Sequence, residues 1–453
     1  MSLRRFRINE PQPNQPRPAR YIVGTILVTI AVGSVLLSLP IATAPGRHTS
    51  SLTAVFTAAS ASSVTGLTVV DTARHWSTFG HVVIVGLVQV GGLGIMTMSS
   101  LAVVVLSRRL GLRQRLLVAA QANSLTLGDV RELVRRILQM TLIVEAITAL
   151  VLTAQFWWVH HMSLDSAAGM GAFHAISAFN NAGFSMFDQS LQRFAHDPVV
   201  LTVLALAVTA GALGFPVWSQ LIDHPREPRR WDLHTKLTLA MTAVITAGGW
   251  VAFMWFEWTN PKTMGPRSSL ATIGNSLAHS VFGRTAGFAT VDVAATNDTS
   301  HLATVMLMFV GGGSSSTAGG IKVSTFALLG LAIWAEVRGD RDTTIFHRRV
   351  PSNLQRQAVA VALLAVGAVM AATLAMLALT PFGLSEVLFE SVSALATVGS
   401  STGITPTLGA GAKILMIVLM FLGRVGPPTL FAALVLRERE RLYRYPEERI
   451  VIG

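Results

Sequence analysis

Ser63-Val64-Thr65-Gly66-Leu67-Thr68, Asn181-Ala182-Gly183-Phe184-Ser185, Thr285-Ala286-Gly287-Phe288-Ala289 and Thr397-Val398-Gly399-Ser400-Ser401 are four short glycine elements in a chain of 453 residues. Their glycines lie 117, 104 and 112 residues apart, so the repeating unit is longer than a solenoid repeat and closer to a small domain. Each element closes a moderately apolar segment, at roughly 51–63, 166–180, 268–283 and 385–397. These segments are too short to cross a bilayer, which takes about 20 helical residues, and read as re-entrant. Longer apolar runs flank them at roughly 21–40, 80–106, 135–159, 198–222, 235–256, 301–335, 356–380 and 412–436. Span, short helix, glycine loop, span: the unit occurs four times.

Composition identifies the solvent. With 51% hydrophobic residues, 13% charged residues and a mean hydropathy of +0.54, the chain has too little polar surface for a soluble globule. A net charge of +12 could suit nucleic acid, but the Lys and Arg residues cluster between apolar spans and not on one aromatic-lined face, so no nucleic-acid partner is expected. The absence of cysteine excludes a disulfide framework and a thiolate metal site. Residues 1–20 are polar, basic and Pro-rich, with no small-residue cleavage site after a short apolar stretch, and read as a cytoplasmic tail.

Charge also gives the orientation. With both termini inside, 26 of the 35 Lys and Arg residues fall in the tails and in 108–136, 226–236 and 338–356. The other side holds seven, Arg47, Arg74, Arg193, Lys262, Arg267, Arg284 and Lys413, while Lys322 and Arg424 fall within spans. The expectation is an all-α, multi-pass protein of the cytoplasmic membrane with both termini cytoplasmic. It comprises four tandem modules (21–106, 135–222, 235–335 and 356–436) in pseudo-fourfold arrangement, followed by a cytoplasmic tail at 437–453. All four short helices then enter from outside.

A helix that stops mid-membrane aims its C-terminal carbonyls, about half a negative charge, at the centre of such an assembly. Extended residues beyond it can turn backbone carbonyls inward to replace a cation's hydration shell. Glycine permits the positive φ and the close approach of four backbones that this needs. Candidate cation ligands are the carbonyls of Val64, Thr65, Gly66, Asn181, Ala182, Gly183, Thr285, Ala286, Gly287, Thr397, Val398 and Gly399. No acidic ring accompanies them, which argues against calcium and for a hard monovalent ion.

The sixth span carries Gly311-Gly312-Gly313-Ser314-Ser315-Ser316-Thr317-Ala318-Gly319-Gly320, followed by Lys322. Such a run does not stay a straight lipid-facing helix, and irregular backbone at that depth must be buried in protein or border water. It reads as a loop or as a glycine-rich packing hinge. Lys322 could pair with a carboxylate or line an inner vestibule. Arg424 costs at least about 2.5 to 3.5 kcal/mol at a helix centre, so it should meet a pore or carbonyls, unless it snorkels. Pro427-Pro428 should kink or break the helix after it.

Other residues admit two readings. His160 and His161, beside Trp157 and Trp158, fit an interfacial belt better than a metal site. Glu145 is an intramembrane carboxylate, functional or simply paired with a neighbouring helix. Asp71, Asp188 and Asp292 each lie five residues after a glycine and could concentrate cations at a mouth or merely solvate loops. No Walker A element, nucleophile elbow, HExxH or phosphorylated-aspartate motif is present, so the chain reads as no enzyme. An intramembrane hydrolase or transferase would need clustered catalytic groups at depth, whereas Glu145, Lys322 and Arg424 sit on different spans.

The elements Ser62-Ser63-Val64-Thr65-Gly66-Leu67-Thr68-Val69, Phe179-Asn180-Asn181-Ala182-Gly183-Phe184, Gly283-Arg284-Thr285-Ala286-Gly287-Phe288 and Ala396-Thr397-Val398-Gly399 resemble the four filter loops of the Trk/Ktr/HKT potassium transporter superfamily. Its Ktr-type membrane subunit is the nearest match. Gln89 to Gly94, Gly311 to Gly320 and Gly423 to Pro427 are also similar to that family, so the resemblance covers nearly the whole chain. It implies gated potassium uptake through a selectivity filter, with 311–320 as an intramembrane gating loop and Lys322 and Arg424 beside it. It further implies a homodimer on a separate cytosolic RCK-type, KtrA-like nucleotide-binding ring, with Na+ coupling or activation in some members. A sodium-coupled symporter or sodium-selective member is the alternative, although Gly66 stands where sodium-favouring members carry serine. This chain departs from the family at Ser400, where an apolar residue is common, and at Ala289, where Asn is common.

Overall fold

A computed structural model of the chain describes residues 18–107, 127–340, 342–346 and 348–426. The expected tails, apart from 18–20, the basic segment 108–126 and Pro427-Pro428 lie outside the described residues. Helices dominate. The first unit holds α1 (Pro18–Ser38), α2 (Ser51–Ser62), a single turn α3 (Thr72–His75) and α4 (Thr78–Ser107). The second holds α5 (Leu127–Trp158), α6 (Leu164–Phe179), α7 (Pro198–Leu213) and α8 (Phe215–Asp223). The third holds α9 (Leu233–Glu257), α10 (Ser269–Thr285), α11 (Asp298–Phe309) and α12 (Val323–Arg338). After a two-stranded hairpin pairing Thr344 with Arg349 come α13 (Ser352–Leu379), α14 (Leu384–Leu395) and α15 (Ala410–Val425).

Among the described residues, three helices are long and apolar enough to cross a membrane, at 131–158, 233–257 and 352–379. The bent pair α7–α8 makes a fourth. Three of the four short helices begin at capping groups, because the first N–H groups of a helix lack intrahelical partners. Ser50 Oγ accepts from Thr53 N at 3.2 Å, Ser268 Oγ from Ala271 N at 3.4 Å, and Glu386 Oε2 from Gly383 N at 3.0 Å. Each short helix packs against the long helices of its own unit, and contacts also run between units: α4 with α6, α7 with α10, α11 with α14, and α15 back onto α2. Packing therefore closes on itself.

Residues 198–222, expected as one span, are two helices bent by 99° at Gly214. The cause is Gly214-Phe215-Pro216: Pro216 has no N–H to give the carbonyl of Ala212 four residues back. The span at 301–335 is broken too, between Phe309 and Val323. The two breaks satisfy one another. Gly313 N donates to Ala212 O at 2.8 Å, Thr317 N to Gly211 O at 3.2 Å, and Phe215 N to Ser315 O at 3.3 Å. At the base of the loop Gly311 N donates to Ile321 O at 2.9 Å and Val323 N to Gly312 O at 3.0 Å. Carbonyls and amides freed by the bend are thus answered by the loop, as backbone buried away from water requires.

Gly214 has φ 87° and ψ 151°, a region reserved for glycine, and a Cβ there would collide with Ser314 O. Gly214→Ala is predicted to lower the thermal unfolding midpoint of the detergent-solubilised protein, with about 1–3 kcal/mol of backbone strain plus the collision. Gly248→Ala in α9, where a Cβ meets nothing within 4 Å, should leave the midpoint unchanged or raise it.

Candidate functional site

The four glycine elements meet. A Cβ on Gly66 would strike the carbonyl oxygen of Ala182, one on Gly183 that of Ala286, one on Gly287 that of Val398, and one on Gly399 that of Thr65. Each carbonyl belongs to the residue just before a glycine, and the sequence of contacts returns to its start. All four glycines have positive φ, 90°, 69°, 65° and 91° in order. Side chains are excluded there twice, by backbone conformation and by space. The residue after each of the first three glycines closes a joint in the opposite sense. Leu67 lies in a core with Val387, Phe389 and Val398 of the fourth unit, Phe184 in one with Leu37 and Trp76 of the first, and Phe288 in one with Phe156 and Phe194 of the second. Ser400, after the fourth glycine, contributes no apolar anchor.

Three loops share one backbone scheme, set by a serine six residues before the glycine. Thr65 N, Ala182 N and Val398 N donate to Ser60 O, Ser177 O and Ser393 O at 2.8, 2.7 and 2.9 Å. The serine hydroxyls add a second tie: Ser60 and Ser393 accept from Gly66 N and Gly399 N at 3.1 Å, and Ser177 donates to Phe184 O at 2.8 Å. Val64, Asn181 and Thr397 accordingly take positive φ. In the third loop Val281 occupies the serine's place, α10 runs on through Thr285, and Ala286 N and Gly287 N both donate to Phe282 O. The third copy is the irregular one. Arg284 is buried beside it, with Thr246 Oγ1 at 3.5 Å.

The 311–320 loop lies directly against these elements. A Cβ on Gly319 would strike Thr397 Oγ1 and come 2.6 Å from Ala396 O, and Asn181 Nδ2 donates to Thr317 Oγ1 at 3.0 Å. Arg424 is buried at the end of α15 and donates to Thr317 O at 2.5 Å and to Gly91 O of α4 at 2.8 Å. A guanidinium meeting two carbonyls avoids the cost of an unpaired charge at depth. Lys322 Nζ donates to Ala318 O at 2.6 Å, so it fastens the loop to itself and takes a carbonyl where the sequence reading offered a carboxylate or a vestibule. Gly311, Gly312 and Gly313 are buried, and a Cβ on each would meet backbone oxygen of Gly319, Ala212 and Leu213 respectively. Ser314 is half-buried and faces Ser324 Oγ, while Ser315, Ser316, Ala318 and Gly319 are buried and Gly320 is half-buried.

The carboxylates separate by role. Glu145 accepts from Gln89 Nε2 and Asn180 Nδ2, both at 3.2 Å, joining α5, α4 and the end of α6 behind the second loop. Asp71 and Asp292 cap short helical turns, and Asp188 pairs with Arg74, whose guanidinium holds its carboxyl below the usual range. His160 Nε2 and Gln155 share Asp197 Oδ2, and no group of three potential metal ligands occurs among the described residues. Sequence reasoning missed two buried carboxylates. Glu390 of α14 accepts from Ser401 Oγ at 2.5 Å, Thr402 N at 3.0 Å and Thr405 Oγ1 at 2.7 Å, pinning the stretch after Gly399. Glu257 accepts from Asn260, Thr263, Asn297 N and Ser300 and ties the loops at the end of α9. Glu390, deep in the fourth short apolar segment where Glu386 lies in its first turn, was the available signal for the first.

Residues 7–445 match the sequence profile of the TrkH family, described as a cation transport protein. The chain is 38% identical over 439 residues to Ktr system potassium uptake protein B of Vibrio alginolyticus, covering 96% of this chain and 94% of that one. It is 36% identical over 436 residues to the protein of the same name from Bacillus subtilis (strain 168), covering 96% and 97%. With the potassium/sodium uptake protein NtpJ of Enterococcus hirae it shares 32% identity over 442 residues, 96% of this chain and 97% of that one. The fold is similar to the crystal structure of the potassium transporter TrkH from Vibrio parahaemolyticus, with TM-score 0.74, 18% identity, and 94% and 87% of the two chains covered.

Glu390→Ala would leave Thr402 N buried without an acceptor, at about 1–3 kcal/mol, and would strip the carboxylate from Ser401 and Thr405, whose hydroxyls keep only each other at 3.1 Å. The expected result is a clear fall in the detergent melting midpoint, with Glu390→Gln falling less because one side-chain oxygen still accepts.

Proposed function

The chain belongs to the TrkH family of cation transport proteins, a family of transporters and not enzymes, and we propose that it takes up potassium across the cytoplasmic membrane through a gated pore. The observation that carries this reading is the closed cycle in which each ring glycine abuts the carbonyl oxygen before the next. Four such carbonyls, with those of Val64, Asn181, Thr285 and Thr397 and of the glycines themselves, supply the oxygen cage a dehydrated K+ requires. The four short helices end where the cycle lies, and their C-terminal dipoles favour a cation there. No catalytic group is needed to drive entry, because an interior-negative potential supplies about 2.3 kcal/mol per charge per 100 mV.

In this reading the four units are pore modules in pseudo-fourfold order, both termini are cytoplasmic, and the 311–320 loop is the gate. Support for the gate is its contact with two ring elements and its fastening by Arg424 and Lys322. A fixed positive charge under the filter opposes cation passage until the loop moves. We assign release of the gate to a separate cytosolic RCK-type nucleotide-binding ring acting on a homodimer, in keeping with the "system" in the names of the potassium uptake relatives. A second reading is coupling to Na+ or selectivity for it, favoured by the potassium/sodium name of the Enterococcus hirae relative. Glycine at position 66, where sodium-favouring members of the resembled superfamily carry serine, favours K+ as the permeant ion.

Uptake-deficient bacteria producing this chain with its regulator should grow at limiting K+, and Gly66→Asp with Gly287→Asp should abolish that growth. Equal K+ fluxes in the native chain and this double variant would contradict the pore. Deleting Ser314 to Thr317 should raise basal K+ flux without the regulator, and unchanged or lower flux in a correctly folded variant would remove the loop from its role as gate.

A further inference from the structure

Thr317 uses every polar group it has. Its N–H donates to Gly211 O at 3.2 Å, its carbonyl accepts from Arg424, and its hydroxyl donates to Phe179 O at 3.1 Å while accepting from Asn181 Nδ2 at 3.0 Å. Phe179 is the last residue of α6, and Asn181 lies two residues before ring glycine Gly183. One hydroxyl of the 311–320 loop therefore holds both the end of the second short helix and the strained backbone that follows it. Asn181 has φ 59°, and its side chain, which elsewhere would bond its own turn, reaches to the loop instead. The same second element is fixed from behind, where Asn180 Nδ2 donates to Gln89 Oε1 at 2.8 Å and to Glu145. Two residues on from Gln89 is Gly91, whose carbonyl takes the other arm of Arg424. The circuit runs from Thr317 through Arg424 to α4, through Gln89 to Asn180, and back through Asn181 to Thr317.

Among the described residues nothing equivalent joins the loop to the first element, where Val64 takes the place of Asn181 and has no polar side-chain atom. The fourth element meets the loop by contact, Thr397 against Gly319. Side-chain hydrogen bonds tie the loop to the second element, and moving the loop must release Asn181 Nδ2 and Phe179 O together.

We infer that the Asn181–Thr317 hydrogen bond is a latch coupling the intramembrane loop to the second filter element, so that Asn181 is a positioning residue for ion discrimination as well as a carbonyl ligand. The inference rests on the potassium-pore reading. While the bond holds, the Asn181 and Ala182 carbonyls are kept in the geometry that fits K+. When the loop leaves, that element relaxes, so the K+ over Na+ preference differs between closed and open states. Selectivity becomes a property of the gate as well as of the ring.

The test measures how the melting midpoint of the detergent-solubilised full-length chain, with the gate closed, rises with KCl and with NaCl, and so its preference between the two ions, for the native chain, Asn181→Ala, Thr317→Val, the double variant and Thr317→Ser. K+ and Na+ fluxes of the same proteins in proteoliposomes give a second readout, on the open state, in which the bond is already broken. Loss of the one hydrogen bond in Asn181→Ala corresponds to about a three- to tenfold fall in the closed-state K+ over Na+ preference. Thr317→Val also removes the donor to Phe179 O and should fall at least as far. The double variant should fall no further than Thr317→Val, because the shared bond is already lost, and Thr317→Ser should restore the native preference. Multiplying effects in the double variant, or a fall in Asn181→Ala alone, would overturn the latch. A native chain with no preference for K+ in either readout sinks the potassium reading and the latch with it, whereas a closed-state K+ preference unmoved by both variants overturns the latch alone.

Discussion

Every irregular stretch of backbone at membrane depth must find partners inside the protein, because a hydrocarbon surround offers none. Two stretches break that would otherwise be continuous helices, and they break at facing places. Pro216 deprives the Ala212 carbonyl of its helical donor, and Gly313 N replaces it; Phe215 N, freed from Gly211, turns to Ser315 O while Thr317 N takes the Gly211 carbonyl. Neither break is tolerable without the other. That exchange fixes the 311–320 loop beneath the glycine elements, and from there Arg424 and Asn181 can reach it.

The glycine elements obey the same constraint in another form. Among the described residues no backbone hydrogen bond joins one glycine element to another, so a loop is held by its own short helix, through the serine six residues back in three copies, and by its neighbours, through a carbonyl on one side and, in three copies, an apolar anchor on the other. The third copy lacks the serine and carries Arg284 at the end of α10, where the helix terminus offers partial negative charge. The fourth lacks the anchor and has Glu390 instead, fixing four hydroxyl or amide groups beyond Gly399. Four copies solve one problem by different means, as expected when a repeat fused into one chain is free to diverge at each joint.

Much of this was legible in the sequence, for physical reasons. Apolar run length separates a spanning helix from a short one, and the observed short helices start and stop within two residues of the expected segments. Glycine at the four elements and in 311–320 pointed to close backbone approach, which a Cβ at Gly66 or Gly311 would prevent. The bend at Gly214 was written in Gly-Phe-Pro, but hydropathy over 198–222 is continuous and masked it. Glu257 and Glu390 were invisible as anchors because their partners are hydroxyls and amides, distant from any charged residue that pairing rules would find. The partners of Arg424, Thr317 O and Gly91 O, are backbone groups far apart in sequence, and no side-chain pattern encodes them.

The account turns on the glycine ring being the place where a dehydrated cation rests. Diffraction or cryo-electron microscopy of the protein in Rb+ or Tl+, with anomalous signal or difference density to identify the ion, addresses that directly. The account predicts ion density inside the ring, coordinated by the carbonyls of Thr65, Ala182, Ala286 and Val398 and their neighbours, and its replacement by K+ on exchange. Ordered ions found only elsewhere, with the ring filled by water or by side chains, would contradict it.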